Sequence, residues 1–223
     1  MPRLLALDFD GVISDSAPES FAVALLTYTQ LIASAQFADR GGALESGPLP
    51  ARSLVTADPL YTSFVDLMPL GNRAEDFAIA LCALDARRPI SDQADYDAFR
   101  SELDESWLQE FHRRFYENRA AFARRDPSGW RQLMGPYPGF LDLLHRRAGD
   151  ALLAIATSKD AKTVAALLRD YGIEALFSAD RVLDKETGVH KDAHLRRLHE
   201  TLGIAYPEMV FVDDKVNHLD RVA

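Results

Sequence analysis

Leu4-Leu5-Ala6-Leu7-Asp8-Phe9-Asp10-Gly11-Val12-Ile13-Ser14-Asp15-Ser16 is the stretch whose reading decides the fold. A short apolar run ends in two carboxylates, and a glycine follows at once. Alternate side chains of a strand share a face, so Asp8 and Asp10 are expected to project from the same side of a strand end. Two acids placed there without a local basic partner repel each other unless a cation or a proton is shared. Gly11 permits a sharp exit of the chain, which leaves the acids open to a ligand. The bland alternative is a hydrophobic strand ending in a solvated acidic turn, and the rest of the chain decides between the two.

Across 223 residues the chain has enough length to bury a sizeable core in one or two domains. It is 48% hydrophobic and 26% charged, the balance of a soluble globular protein. No run approaches the roughly 20 apolar residues that span a bilayer. Residues 1–7 already read as strand and carry no cationic leader, so no secretory signal is expected. Cys82 is the single cysteine; it excludes an intrachain disulfide and suits a reducing cytoplasm. The formal net charge of −9 argues against nonspecific binding to nucleic acid or to an anionic membrane. It also means that a site for phosphate would need a metal or placed cations to offset its own carboxylates.

Further apolar runs read as buried strands: Ala151 to Ala156, a weaker one around Arg181 to Leu183, and Met209 to Val212. Continuous rather than alternating apolarity suits a parallel sheet covered on both faces. Between them, Lys159 to Tyr171 places Val164, Leu167, Leu168 and Tyr171 on one helical face, with Gly172 as a stop. Residues 191–202 place Leu195, Leu198 and Leu202 at helical spacing, with Gly203 after them. Strand, helix, strand, helix, strand is the pattern of a doubly wound, Rossmann-like α/β domain. Residues 18–134 carry no convincing strand. Phe21 to Phe37, Ala74 to Ala86 and the long amphipathic stretch Tyr96 to Arg125 read as helices, and glycine- and proline-rich Arg40 to Arg52 reads as a loop between them. The expected organisation is an α/β core of residues 1–17 and 135–223 with an inserted all-helical domain, 18–134. The stripe Phe99, Leu103, Trp107, Leu108, Phe111 and Phe115 reads as helix-packing core rather than a ligand box.

Each later strand ends in groups that suit phosphate. Thr157, Ser158 and Lys159 follow the second strand, where a hydroxyl and main-chain N–H groups at a helix start form an anion site; taken alone they are an ordinary N-cap. Lys191 opens a helix, where its charge opposes the dipole, so a stabilising role explains it poorly. Lys159 and Lys185 compete with it as the placed ammonium. Asp213 and Asp214 end the last strand, with Lys215, Asn217 and Asp220 close behind, and adjacent carboxylates there suit a hard ion such as Mg²⁺. In open α/β sheets ligands bind beyond the carboxyl ends of the strands, so all these groups would converge on one crevice.

These residues resemble the haloacid dehalogenase-like superfamily, in which phosphatases and phosphomutases predominate. Asp8-Phe9-Asp10-Gly11-Val12 with Asp15-Ser16 is similar to its first motif, Thr157 to its second, Lys191-Asp192-Ala193-His194-Leu195 to its third and Asp213-Asp214 to its fourth. Pro138-Gly139-Phe140 followed by Leu143-Leu144 resembles the family's return from cap to core, and the helical insertion resembles its C1-type cap. The resemblance implies roles. Asp8 would be the nucleophile that forms an aspartyl-phosphate, and Asp10 the general acid and then base. Thr157, with Ser158 and Gly11, and Lys191 would hold the phosphoryl group. Mg²⁺ would be held by Asp8, the Asp10 main-chain carbonyl and Asp214, with Asp213 assisting. It departs from the pattern at His218, where the family often has a further acid; Asn217 or Asp213 would stand in. Family members also continue past the fourth motif with another strand and helix, so either the core is minimal or the chain is a fragment.

A Mg²⁺-dependent phosphatase of a small phosphorylated metabolite, cytoplasmic and without nucleic-acid or membrane partners, is the leading expectation. A phosphomutase of the same family is the alternative, since the cap selects the acceptor. Asp10 counts against a dehalogenase, and the absence of lysine from residues 18–134 counts against a phosphonatase. A non-catalytic binding protein that keeps the fold is the reading from another class. Arg40, Arg52 and Arg73 could meet an anionic substrate, but solvated surface is the simpler expectation for each.

Overall fold

A computed structural model describes residues 2–71, 73–188 and 190–222, with Asn217 described in its main chain only. In chain order the elements are β1 (Leu4–Leu7), β2 (Ser14–Asp15), α1 (Ala17–Leu31), α2 (Ala38–Ser46), α3 (Arg52–Thr56), α4 (Pro59–Leu67), α5 (Ala74–Asp85), α6 (Gln93–Glu102), α7 (Glu105–Arg125) and α8 (Pro127–Leu133). They continue with β3 (Gly135–Pro136), α9 (Phe140–Arg147), β4 (Leu152–Ala156), α10 (Ala161–Asp170), β5 (Val182–Leu183), α11 (Lys191–Leu202), β6 (Met209–Val212) and α12 (Val216–Leu219). The chain divides into two compact units, Met1–Asp15 with Gly135–Ala223, and Ser16–Met134.

The first unit is built on a parallel sheet in the order β5-β4-β1-β6. β1 pairs Leu4 with Leu152 and Met209, and Leu7 with Ile155 and Val212, so β1 and β6 end level and β4 runs one residue further, to Ala156. The sheet is doubly wound. α10 carries the chain outward from β4 to β5, and α11 carries it back across β4 and β1 to β6. Right-handed crossovers running in opposite directions cover opposite faces. Leu4, Ala6 and Ala154 form a core with Leu195 and Leu198 of α11 and with Ile204. On α10, Val164, Leu167 and Leu168 are buried. A two-residue antiparallel pair, β2 with β3, joins Ser14 to Pro136 and Asp15 to Gly135.

The second unit is helical in all its described regular structure. α1 is buried without a break from Pro18 to Tyr28, as suits a helix apolar all round. Phe21, Phe64, Phe77 and Phe115 form a run of ring contacts at 5.3–5.6 Å between centroids, so the aromatic stripe is core packing. Glu19 is fully buried, and both its oxygens take Arg119 N–H donors at 2.8 Å, while Trp130 Nε1 donates to it at 2.9 Å.

Three sequence expectations are corrected here. Arg40 to Arg52 is loop only over residues 47–51: residues 38–46 are α2, and a Cβ on Gly41 would overlap the side chain of Thr29. Glycine there permits close approach of α2 to α1, and packing overrides its low helix propensity. Tyr96 to Arg125 is two helices rather than one, because Asp104 caps α7 by accepting from the Trp107 N–H at 3.0 Å, and Leu103 leaves the helical conformation. The helix after β4 starts at Ala161 rather than Lys159, because Asp160 is its N-cap and accepts from the Thr163 N–H at 2.9 Å. No helix among the described residues is long and apolar enough to cross a membrane.

Candidate active site

The site lies at the carboxyl ends of β1, β4 and β6. Main-chain bonds carry the ladder one step past the strands: Asp8 N–H donates to Val212 O and Thr157 N–H to Leu183 O, both at 2.9 Å. Asp8 and Asp213 are therefore level with each other at the ends of neighbouring strands, and Thr157 follows one residue further along β4. β1 itself stops at Leu7, so Asp10 is not on the strand as the alternation argument supposes. It sits in the following turn, where Ile13 and Ser14 donate to Phe9 O at 3.0 and 2.8 Å and Gly11 donates to Ser14 O at 2.9 Å. Ser14 Oγ and Tyr171 Oη are 2.7 Å apart, and Phe9 stacks on the Tyr171 ring, which braces the turn.

Neither acid lacks a basic partner, as the N-terminal stretch alone would suggest. The partners arrive from other segments. Lys191, 4% exposed at the start of α11, lies with Nζ 2.7 Å from Asp8 Oδ1 and 3.5 Å from Asp213 Oδ2, and donates to Ala156 O at 2.7 Å. Three oxygen contacts explain why a lysine is tolerated there against the helix dipole. Lys159, also buried, lies 3.2 Å from Asp10 Oδ1. The two lysines are not competitors for one role; each faces its own aspartate, and Lys159 is the group that sequence reasoning undervalued. Its signal was its place directly after Thr157-Ser158 at a strand end. Lys185 is exposed.

Thr157 is buried, and its Oγ1 accepts from the Lys159 N–H at 3.1 Å, which fixes the loop that presents Lys159. Ser158 is exposed, outside any helical cap. Asp213 has a wholly buried side chain that accepts from the Lys215 N–H at 2.9 Å and from His218 Nδ1 at 3.0 Å on both oxygens. The sequence marks His218 only as standing where the family often has an acid; nothing local makes it a partner of Asp213. The Asn217 side chain lies outside the described residues.

Burial pushes the Asp8 carboxyl up to about 7 against the pull of Lys191, and the nearby Asp213 charge pushes the same way as burial. Burial likewise raises Asp214, although the residue as a whole is exposed. The two statements agree once its position is considered: a Cβ on Gly11, at φ +83°, would overlap the Asp214 carboxylate. The carboxylate thus lies against the main chain at Gly11. Gly11 is required there both for its conformation and for the space.

This donor set fits a hard divalent cation. Asp8 offers a carboxylate oxygen at the strand end, and Asp214 lies with its carboxylate against Gly11 rather than in the cluster around Asp8. Ligand atoms of Asp8, Asp213 and His218 also lie within 4.8 Å of one another. Asp213 is the less available of the carboxylates, since Lys215, His218 and Lys191 already occupy its oxygens.

A family profile described as haloacid dehalogenase-like hydrolase matches residues 2–220. No curated protein matches the chain in sequence. Among solved structures, a haloacid dehalogenase-like family hydrolase from Streptococcus pneumoniae superposes with a TM-score of 0.60 at 16% identity, over 99% of this chain and 80% of its own. Protein tyrosine kinase A of Mycobacterium tuberculosis gives 0.55 at 20% identity, over 98% and 78%. A protein from Haemophilus somnus named as a predicted phosphoglycolate phosphatase gives 0.52 at 19% identity, over 94% and 75%. At such identities the likeness speaks for the fold, and the different names on one fold show that fold alone does not choose a reaction. With a profile match over almost its whole length and carboxylates and lysines gathered at the ends of a doubly wound sheet, the chain belongs to the haloacid dehalogenase-like hydrolases.

Proposed function

We propose that the chain is a Mg²⁺-dependent phosphatase that hydrolyses a small phosphorylated metabolite through an aspartyl-phosphate on Asp8. The observation that carries the reading is the buried Asp8–Lys191 pair, 2.7 Å apart at the end of the central strand. An ammonium in that place can hold a phosphoryl oxygen and keep the carboxylate ionised for attack. The inserted unit 16–134 acts in this reading as the cap, and the α/β unit as the catalytic core.

Asp8 attacks phosphorus, the bond to the leaving oxygen breaks, and Asp10 gives that oxygen its proton. A water then attacks the phosphorus of the aspartyl-phosphate, Asp10 takes its proton, and the Asp8–phosphorus bond breaks to release phosphate. Lys159, 3.2 Å from Asp10 Oδ1, orients that carboxyl and faces the incoming anion. Thr157 and Lys191 hold the transferring group, with Ser158 and Gly11 at the rim. Asp8, Asp214 and the Asp10 carbonyl would hold the Mg²⁺, and Asp213 assists by holding Lys191. When bound, the ion supplies the positive charge that lets an anionic nucleophile meet an anionic phosphate. The work of this chain's own residues is positioning and charge stabilisation.

The Haemophilus somnus relative is named for phosphoglycolate, which puts small phosphorylated acids first among substrates to try. A reducing cytoplasm suits the single Cys82. The test is a panel of phosphorylated metabolites assayed with and without Mg²⁺ beside the Asp8→Asn variant. Hydrolysis that needs Mg²⁺ and disappears in the folded variant is the expected result. Turnover that survives Asp8→Asn removes the nucleophile, and absence of turnover across the panel removes the phosphatase reading.

A further inference from the structure

Asp184, the first residue after β5, is a junction of main-chain bonds. Its Oδ2 accepts from the Ala161 N–H at the start of α10 at 3.1 Å, and its Oδ1 from the Glu186 N–H at 3.1 Å. Its carbonyl oxygen accepts from the Thr187 N–H at 3.0 Å and lies 3.0 Å from His194 Nε2. His194 is fully buried on α11, one turn beyond Lys191. A carbonyl cannot donate, so the imidazole carries its proton on Nε2 and donates to Asp184 O. The N-cap of α11, His190, makes no side-chain capping bond, and the turn is otherwise anchored by the Lys191 ammonium on Ala156 O, Asp8 and Asp213. The loop also packs tightly on that turn, since a Cβ on Gly188 would come within 2.9 Å of Ala193 Cβ.

We propose that Asp184 and His194 form a clamp that sets Lys191 against Asp8 and ties it to the segment bearing Thr157 and Lys159. The Asp184 side chain grips the start of α10, four residues past Thr157, and its carbonyl grips α11 one turn past Lys191. Through the clamp the two site lysines keep a fixed spacing, each on its own aspartate. His194 is a positioning residue: it acts on the chemistry through Lys191 and not by contact with the phosphoryl group. That functional consequence rests on the phosphatase reading; the clamp itself does not.

The test compares His194→Leu, which keeps bulk and loses the donor, with His194→Gln, whose amide N–H reaches the same carbonyl. Turnover of an aryl phosphate in Mg²⁺ is measured alongside amide hydrogen exchange in the first turn of α11, which needs no activity. Misplacing Lys191 should lower kcat by up to about 100-fold. His194→Leu should do so with KM little changed and with faster exchange at Ala193, whose N–H donates to His190 O, and His194→Gln should restore both. A merely structural histidine would lower the melting temperature and leave kcat of the folded fraction intact, and that result overturns the proposal. So does a His194→Gln variant as impaired as His194→Leu. If His194→Leu does not fold, the His194→Gln and His194→Asn pair decides by the same two readouts. If the wild-type protein hydrolyses no phosphate ester, the phosphatase reading fails, and unchanged exchange in the variants is then the result that removes the clamp.

Discussion

Replacing Lys191 with methionine keeps the length of a buried side chain and deletes the ammonium that separates two buried acids. Nζ lies 2.7 Å from Asp8 Oδ1, 3.5 Å from Asp213 Oδ2 and 2.7 Å from Ala156 O. Removing one partner of a buried ion pair and stranding the other costs about 3–5 kcal/mol. In a chain of this size that is a loss of about 6–20 °C in melting temperature. The loss depends on pH. Burial holds Asp8 at about 7, above its ordinary 3.8, even with Lys191 pulling it down. Between those values the folded state binds more protons than the unfolded one, so this carboxyl lowers stability as pH rises through the window. Without Lys191 the folded value rises further, and a protonated Asp8 no longer needs the missing charge. In a chelator, the variant should therefore melt well below wild type at pH 8 and much closer to it at pH 5.5. Aryl phosphate turnover should fall to background at both. Melting losses that are equal at the two pH values would refute the reasoning that Lys191 compensates Asp8 and Asp213.

Gly11→Ala forces a side chain into a left-handed conformation at φ +83° and against the Asp214 carboxylate. The conformational part alone costs about 1–2 kcal/mol, and the displaced carboxylate should weaken Mg²⁺ binding by calorimetry on the order of tenfold, which is about 1.4 kcal/mol. Unchanged affinity would remove Asp214 from the metal site. Glu19→Ala strands Arg119 and the Trp130 N–H inside the helical unit and should lower its stability in a urea titration by about 3–5 kcal/mol; a loss under about 1 kcal/mol would mean the network is not a buried ion pair in energetic terms. Gly41→Ala should cost about 1–3 kcal/mol by overpacking against Thr29, and much of that should return in a Thr29→Ala background.

Elements whose signal is local were legible. Leu4–Leu7 and Met209–Val212 appear with the bounds their apolarity implies, and Gly203, at φ +62°, stops α11 where expected. What escaped depended on partners distant in sequence. Gly41 and Gly42 read as loop because nothing nearby announces that Thr29 needs a neighbour without a side chain. Leu103 continues the apolar stripe, and only the Asp104 cap breaks the helix there. β2 and β3, two residues each, are too short to carry a period and exist because the chain returns after the insertion. Within the site, the acids and Lys191 stand out as chemistry without local reason. His218 and His194 do not, and Lys159 shows its place at a strand end but not its partner, since each meets that partner only when the chain folds.

The central claim is that Asp8 accepts a phosphoryl group. Acid-quenched protein taken during turnover of a small phosphorylated acid in Mg²⁺ can be digested and weighed by mass spectrometry. The account predicts one acid-stable, hydroxylamine-labile phosphoryl adduct on the peptide that contains Asp8, missing from Asp8→Asn. Turnover without any adduct there, or an adduct carried by another residue, would contradict it.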